Sequence, residues 1–121
     1  MAWTRKSVLA AIGTDKINPA VVEKAVYTVF LGQTEDEKET KDVKWLNGRG
    51  FATATRFWGT LIGREIQKAI DLCGGDKNRV MWGGILRTVK WQDKAIAIAR
   101  FHAAQVAREW NALNEKKKAA A

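Results

Sequence analysis

The stretch Phe57-Trp58-Gly59-Thr60-Leu61-Ile62-Gly63-Arg64-Glu65-Ile66-Gln67-Lys68-Ala69-Ile70-Asp71-Leu72-Cys73 decides the fold class. Phe57, Trp58, Leu61, Ile62, Ile66, Ala69, Ile70 and Cys73 recur at the three- and four-residue steps of a helix, not at the two-residue step of a strand. Thr53 or Thr55 offers an N-cap and Gly74-Gly75 a stop, so a helix is expected over about 53–73. Gly59 and Gly63 lie four apart on it. Each costs about 1 kcal/mol in a helix interior, and close approach by a second helix is the best account of them. Arg56 and Arg64 project to its polar side.

Downstream, Trp91, Ala95, Ile98, His102, Val106, Trp110 and Leu113 form the apolar stripe of a long helix over about 90–113. Alanines fill much of the rest and favour tight packing, while Lys90, Lys94, Arg100 and Arg108 decorate the surface. Glu115-Lys116-Lys117-Lys118 is expected to fray into a basic tail, and the alanines at 119–121 carry no functional weight. The two helices are joined by a Gly-rich connection at 74–88. Within 76–90 the pattern fits two short strands around Gly83-Gly84 or a broken helix. The glycine pair lacks the following Gly-Lys-Ser/Thr of a phosphate loop, which argues against nucleotide binding.

Upstream, Asn18-Pro19 marks a helix start, with Asn as N-cap and Pro at the first helical position. Val21, Val22, Ala25, Val26, Val29 and Phe30 then recur at helical spacing to a Gly32 cap, giving a helix over about 18–31; the β-branched content leaves a strand over Ala25–Leu31 open. Thr34-Glu35-Asp36-Glu37 has the form of a capping box, and reads as a short exposed helix or ordered loop running toward Trp45. Asn47-Gly48 with Gly50 signals a turn, bracketed by Trp45 and Phe51, with Arg49 pushed outward. At the N-terminus, Thr4 to Ile12 fits a short helix stopped by Gly13, with Trp3 packing down before it. The expected architecture is all-α: a small bundle of three to four main helices, one domain over 1–115, and a tail at 116–121.

A chain of 121 residues can bury one core without staples, and one proline with six tryptophans argues against disorder. No apolar run is long enough to span a bilayer, and the N-terminus makes a poor signal peptide. The single cysteine, Cys73, excludes an internal disulfide and fits a reducing compartment, so a cytoplasmic location is expected. The formal net charge of +8 is unevenly placed. Residues 1–44 hold seven Lys/Arg and seven Asp/Glu, whereas residues 45–121 hold fourteen and six. A basic excess confined to one part of a small domain is the footprint of a polyanion binder.

Catalytic chemistry finds few reagents. One histidine and one cysteine, far apart in the chain, do not make a zinc site. Interleaved lysines neutralise the carboxylates of 35–44, and no calcium-loop pattern is present. His102 lies on an apolar stripe, Cys73 reads as a small core residue, and Ser7 is the only serine. Glu65, Asp71 and Glu109 are candidate carboxylates, but their spacing does not place any two across a cleft. No catalytic residue, metal or cofactor is expected.

Cations interleaved with aromatics remain: Trp45/Arg49/Arg56/Trp58, Arg79/Trp82/Arg87 and Lys90/Trp91/Lys94. This composition suits nucleic acid, because cations neutralise phosphates and exposed indoles stack on unpaired bases. Arg49, Arg56, Arg64, Arg87, Lys90 and Lys94 are the expected phosphate contacts, and Trp45 or Trp82 the stacking platform. Trp58 and Trp110 are assigned to the core, while Trp45, Trp82 and Trp91 are the candidates for exposure. The alternative is a module that binds a protein of a nucleic-acid machine, since Trp and Arg also dominate interface hot spots.

The run Gln33-Thr34-x-Glu-x-x-Thr, then Asn47-Gly48-x-Gly50-Phe51, then Lys94-x-Ile96-Ala97-x-Ala99-Arg100 with Gln105 beyond, resembles small helical modules of phage and mobile-element DNA-processing proteins. Ala54 and Thr55 stand where that pattern has an acidic residue. The resemblance implies a phage or mobile-element setting and DNA, more than RNA, as the polyanion.

Overall fold

The Asn18-Pro19 start opens the helix around which the rest is laid. In a computed structural model of the chain, which describes residues 2–40 and 55–120, this helix runs over Pro19–Thr40 and touches every other helix. Asn18 caps it as expected: its Oδ1 accepts from the Val21 N–H at 3.4 Å, and its carbonyl from the Val22 N–H at 3.1 Å. Among the described residues there are five α-helices, α1 Arg5–Ile12, α2 Pro19–Thr40, α3 Arg56–Leu72, α4 Val89–Phe101 and α5 Ala103–Ala120, one 3-10 turn at Lys77–Arg79, and no strand. The all-α bundle is the fold that the spacing predicts, with more helices than the three to four expected.

Each difference has a local cause. α2 does not stop at Gly32: that glycine is buried inside the helix and lacks the positive φ of a C-cap. The residues that follow, Gln33 to Glu39, are mostly good helix formers and carry the helix onward. The strand alternative over Ala25–Leu31 is therefore excluded. The expected helix over 90–113 is two helices, interrupted at His102, whose φ of −99° and ψ of 17° leave the helical region. The interruption is one residue wide, because bonds from His102 N–H to Ile98 O (3.0 Å) and from Val106 N–H to His102 O (2.9 Å) span it. The stripe keeps its spacing through the break, so α4 lies on α2 and α3 while α5 turns to α1. α5 also continues to Ala120, through the stretch expected to fray.

The connection from Cys73 to Thr88 is neither a hairpin nor a broken helix. Gly74 and Gly75 take φ of 73° and 82° and stop α3 as expected, because only a residue without Cβ takes two such positions in a row at little cost. Asp76 then caps the 3-10 turn through its bond from the Asn78 N–H at 2.9 Å.

Val8 and Ile12 of α1, Val22, Val26 and Val29 of α2, Ile62, Ile66 and Ile70 of α3, Ile98 of α4 and Val106 of α5 form one core. Burying each such side chain contributes about 1.5–3 kcal/mol. For α3 that outweighs the cost of about 1 kcal/mol at each of Gly59 and Gly63. Gly63 serves the expected close approach: a Cβ there would overlap the Phe30 ring of α2. At the far side, Asn111 clamps the N-terminal segment, accepting from the Trp3 N–H at 2.7 Å and donating to the Trp3 carbonyl at 2.8 Å. Trp3 meets Trp110 edge to face at 4.8 Å.

Candidate nucleic-acid interface

α4 starts at Thr88, whose Oγ1 accepts from the Trp91 N–H at 3.3 Å. Lys90 and Lys94 then follow four apart, which sets them in one row along its first turns, and Arg87 stands just before the cap. The Lys90 and Lys94 ammonium groups stand 5.2 and 5.5 Å from the Trp58 ring centroid, within cation–π range. Trp58 meets Trp91 at 6.1 Å and Phe57 at 5.6 Å, both edge to face. Three aromatic rings and two lysines thus form one cluster where α3 and α4 touch.

Exposure divides this cluster in a way the stripe did not show. Trp58 and Trp91 are half-buried and pack against the core, whereas Phe57, the first residue of the stripe, is 70% exposed. The aromatic surface open to a ligand is Phe57 with the outer parts of the two indoles. Phe57 opens the apolar stripe of α3, and only its place at the very start of the helix hints at its exposure.

The other expected site residues do not all converge. Trp45 and Arg49, with the Asn47–Gly50 turn, lie outside the described residues. Arg56 and Arg64 are exposed on α3, but Arg56 is two positions from Trp58 and Arg64 six. At 100° per residue these offsets place them roughly 160° and 120° around the helix from Trp58. They belong to a different flank from Lys90 and Lys94. Trp82 lies on another surface again. It packs against Tyr27 at 6.2 Å, has Lys24 over its ring at 5.7 Å, and donates from Nε1 to the Lys77 carbonyl at 3.0 Å. It is half-buried, and lines a groove of about 600 Å³ between α2 and α5.

Beside the Trp58 cluster, the C-terminal half of α3 and the connection 79–88 enclose a second groove of about 860 Å³ that ends at Trp91. Lys68, Arg79 and Arg87 stand on it, and Glu65 is its one carboxylate. The basic residues that adjoin the Trp58 cluster are therefore those at the start of α4 together with those of this groove.

The titratable core groups are tied up in structure. His102 is buried; its Nε2 lies 2.8 Å from Thr55 Oγ1 and its Nδ1 3.0 Å from Gln105 Oε1. Burial lowers its pKa below the usual histidine value, and the Gln105 bond opposes that in part. The same Thr55 sits at the N-cap of α3 but makes no side-chain cap bond there. Tyr27, buried and donating to Gln67 Oε1 at 2.7 Å, has its pKa raised first by burial and then by the Asp71 charge. Cys73 Sγ contacts the Arg79 carbonyl at 3.5 Å. Among the described residues no group of three or more His, Cys, Asp or Glu could hold a metal, and no helix is long and apolar enough to cross a membrane.

No family model matches the chain, and no curated protein or solved structure matches it.

Proposed function

We propose that this protein is a non-catalytic nucleic-acid-binding protein of the cytoplasm that engages unpaired strands through the α3–α4 face. The observation that carries the reading is the placement of Lys90 and Lys94 over Trp58, beside the exposed Phe57 ring. Phosphates pair with Arg87, Lys90 and Lys94, while a base stacks on Phe57 and the rims of Trp58 and Trp91. Asp93, the one carboxylate on α4, stands one helical step from Lys90, and with Arg87, Lys90 and Lys94 beside it the face stays net positive. The excess of cations over residues 45–121 supplies the long-range attraction. A role as an accessory factor in phage or mobile-element DNA processing fits both this face and the resemblance of the sequence.

The test is fluorescence anisotropy with labelled single-stranded and duplex DNA and RNA at about 50 and 200 mM salt. Three contacts, from Arg87, Lys90 and Lys94, predict a single-strand affinity that falls roughly 20-fold across that range, at about 0.7 per contact in the log–log slope. Absence of binding at the lower salt overturns the reading. Tighter binding to duplex than to single strands removes the stacking part of it.

A further inference from the structure

The groove between α3 and the connection 79–88 has a character the phosphate contacts do not explain. Its lips carry Leu72 and Met81, which are 86% and 83% exposed, the two most exposed large apolar side chains among the described residues. Ile85 and Trp91, both half-buried, continue the apolar surface inward. Phosphate binding needs neither lip residue, and water is a poor neighbour for both. The rim is cationic, with Lys68, Arg79 and Arg87 against the single carboxylate of Glu65.

We propose that this groove takes an acidic amphipathic segment of a protein partner, seating apolar side chains against Leu72, Met81, Ile85 and Trp91 and carboxylates against Lys68, Arg79 and Arg87. The shape favours a macromolecular segment over an enclosed small molecule, because the lip side chains protrude and add contact area outside the cleft. A flexible methionine lip suits a surface that repacks around inserted side chains. The net charge of +8 repels a second copy of the chain at long range and attracts an acidic partner. An apolar stripe flanked by carboxylates meets both demands of the groove at once, which is helix-in-groove recognition. The proposal stands apart from the nucleic-acid reading, which uses Phe57, Lys90 and Lys94; Arg87 and Trp91 adjoin both surfaces.

The test is a displayed library of random peptides of about 16 residues, roughly four helical turns, selected on the purified full-length protein. Anisotropy of the enriched peptides then follows against three forms of the protein: unaltered, Leu72→Gln/Met81→Gln, and Lys90→Ala/Lys94→Ala. The expected result is net-acidic peptides with Leu, Phe or Trp recurring every three or four residues. Their affinity drops at least tenfold in the Leu72/Met81 variant, because two apolar contacts are lost, and changes little in the Lys90/Lys94 variant. Both altered lip side chains are at the surface, so circular dichroism and the melting temperature of that variant should match those of the unaltered protein.

The proposal is overturned if no peptide enriches, if the winners are basic, or if they ignore Leu72 and Met81. It is overturned equally if sedimentation shows self-association that the lip variant abolishes, or if the lip variant loses oligonucleotide rather than peptide. A protein that selects acidic peptides yet binds no oligonucleotide would reject the nucleic-acid reading and leave this one standing.

Discussion

The carboxylate of Glu23, buried in α2, accepts a hydrogen bond from the backbone N–H of Gly83 at 2.5 Å, across a sequence separation of 60. Its second oxygen accepts from the Leu86 N–H at 3.0 Å. The connection between α3 and α4 is thus hung on the central helix by one side chain. Gln92 ties the same loop to α4 by donating to the Leu86 carbonyl at 2.8 Å. Arg87 and Lys90 follow immediately, so a buried carboxylate fixes where the basic row begins. The loop also walls the groove beside α3. One interaction therefore supports both the nucleic-acid face and the proposed peptide site.

Glu23→Gln tests that support. An amide keeps one acceptor oxygen but turns an N–H donor toward one of the two loop N–H groups. A buried donor left without an acceptor costs about 1–3 kcal/mol. Chemical denaturation should show a stability loss of that size, and trypsin should cut sooner at Arg79 or Arg87. An unchanged denaturation midpoint would mean that the loop is held by its apolar contacts, through Val80 and Leu86, and not by the carboxylate.

Gly63→Ala should destabilise the protein although alanine is the better helix former. The gain in helix propensity is about 1 kcal/mol. Against it stands overlap of the new Cβ with the Phe30 ring and its Cβ, which sits close to the α2 backbone and cannot swing away. Overpacking of this kind costs about 1–3 kcal/mol. Phe30→Leu in the same chain should recover part of the loss, so the double variant should be more stable than the two single effects summed. Strict additivity would show that the two helices adjust by sliding.

These contacts also explain what the sequence could and could not disclose. The period of Ile62, Ile66 and Ile70, the Asn18-Pro19 start and the Gly74-Gly75 stop are local signals, and each appears in the structure where it was read. Gly32 carries the same residue type as Gly13, yet one is helix interior and the other a cap; the residues that follow decide, not the glycine. The interruption at His102 leaves no trace in the stripe, because both halves keep the same spacing. The candidate site was half legible. Lys90 and Lys94 share a face through their own helix, whereas their meeting with Trp58 depends on how α3 is rotated in the bundle. That rotation is set by non-local fits such as Gly63 against Phe30, and it carries Arg56 and Arg64 away. Nothing near Glu23 in the chain announces a partner so far away.

Acid should weaken the fold through His102. Its pKa is lowered in the folded chain, chiefly by burial, so the unfolded chain binds the proton more readily. The stability this group contributes is fully present above the unfolded value of about 6.5. It is lost as the pH falls below that value toward the lowered folded pKa. Neutral imidazole can donate from Nδ1–H to Gln105 Oε1 and accept the Thr55 hydroxyl at Nε2, an arrangement that protonation of Nε2 disrupts. Melting temperatures of the unaltered protein and His102→Gln, followed from about pH 7.5 to 5, separate this group from the carboxylates. The unaltered protein should lose more over that window than the variant. Parallel curves would show that His102 does not take up the proton on unfolding.

The last prediction concerns the basic row. Lys90→Ala/Lys94→Ala removes two phosphate contacts and should lower the magnitude of the single-strand salt slope by about 1.4, at about 0.7 per contact. Arg56→Ala/Arg64→Ala removes the same charge from the other flank of α3, and should leave the slope nearly unchanged. Phe57→Ala should instead weaken binding by about 1–3 kcal/mol at every salt concentration, since stacking releases no counterions. Phe57 is exposed and the lysines lie at the surface, so none of these changes should unfold the chain. The three responses distinguish a built face from diffuse positive charge. If the Arg56/Arg64 and Lys90/Lys94 variants lose equal slope, the net charge alone attracts the strand, and the cluster around Trp58 is packing.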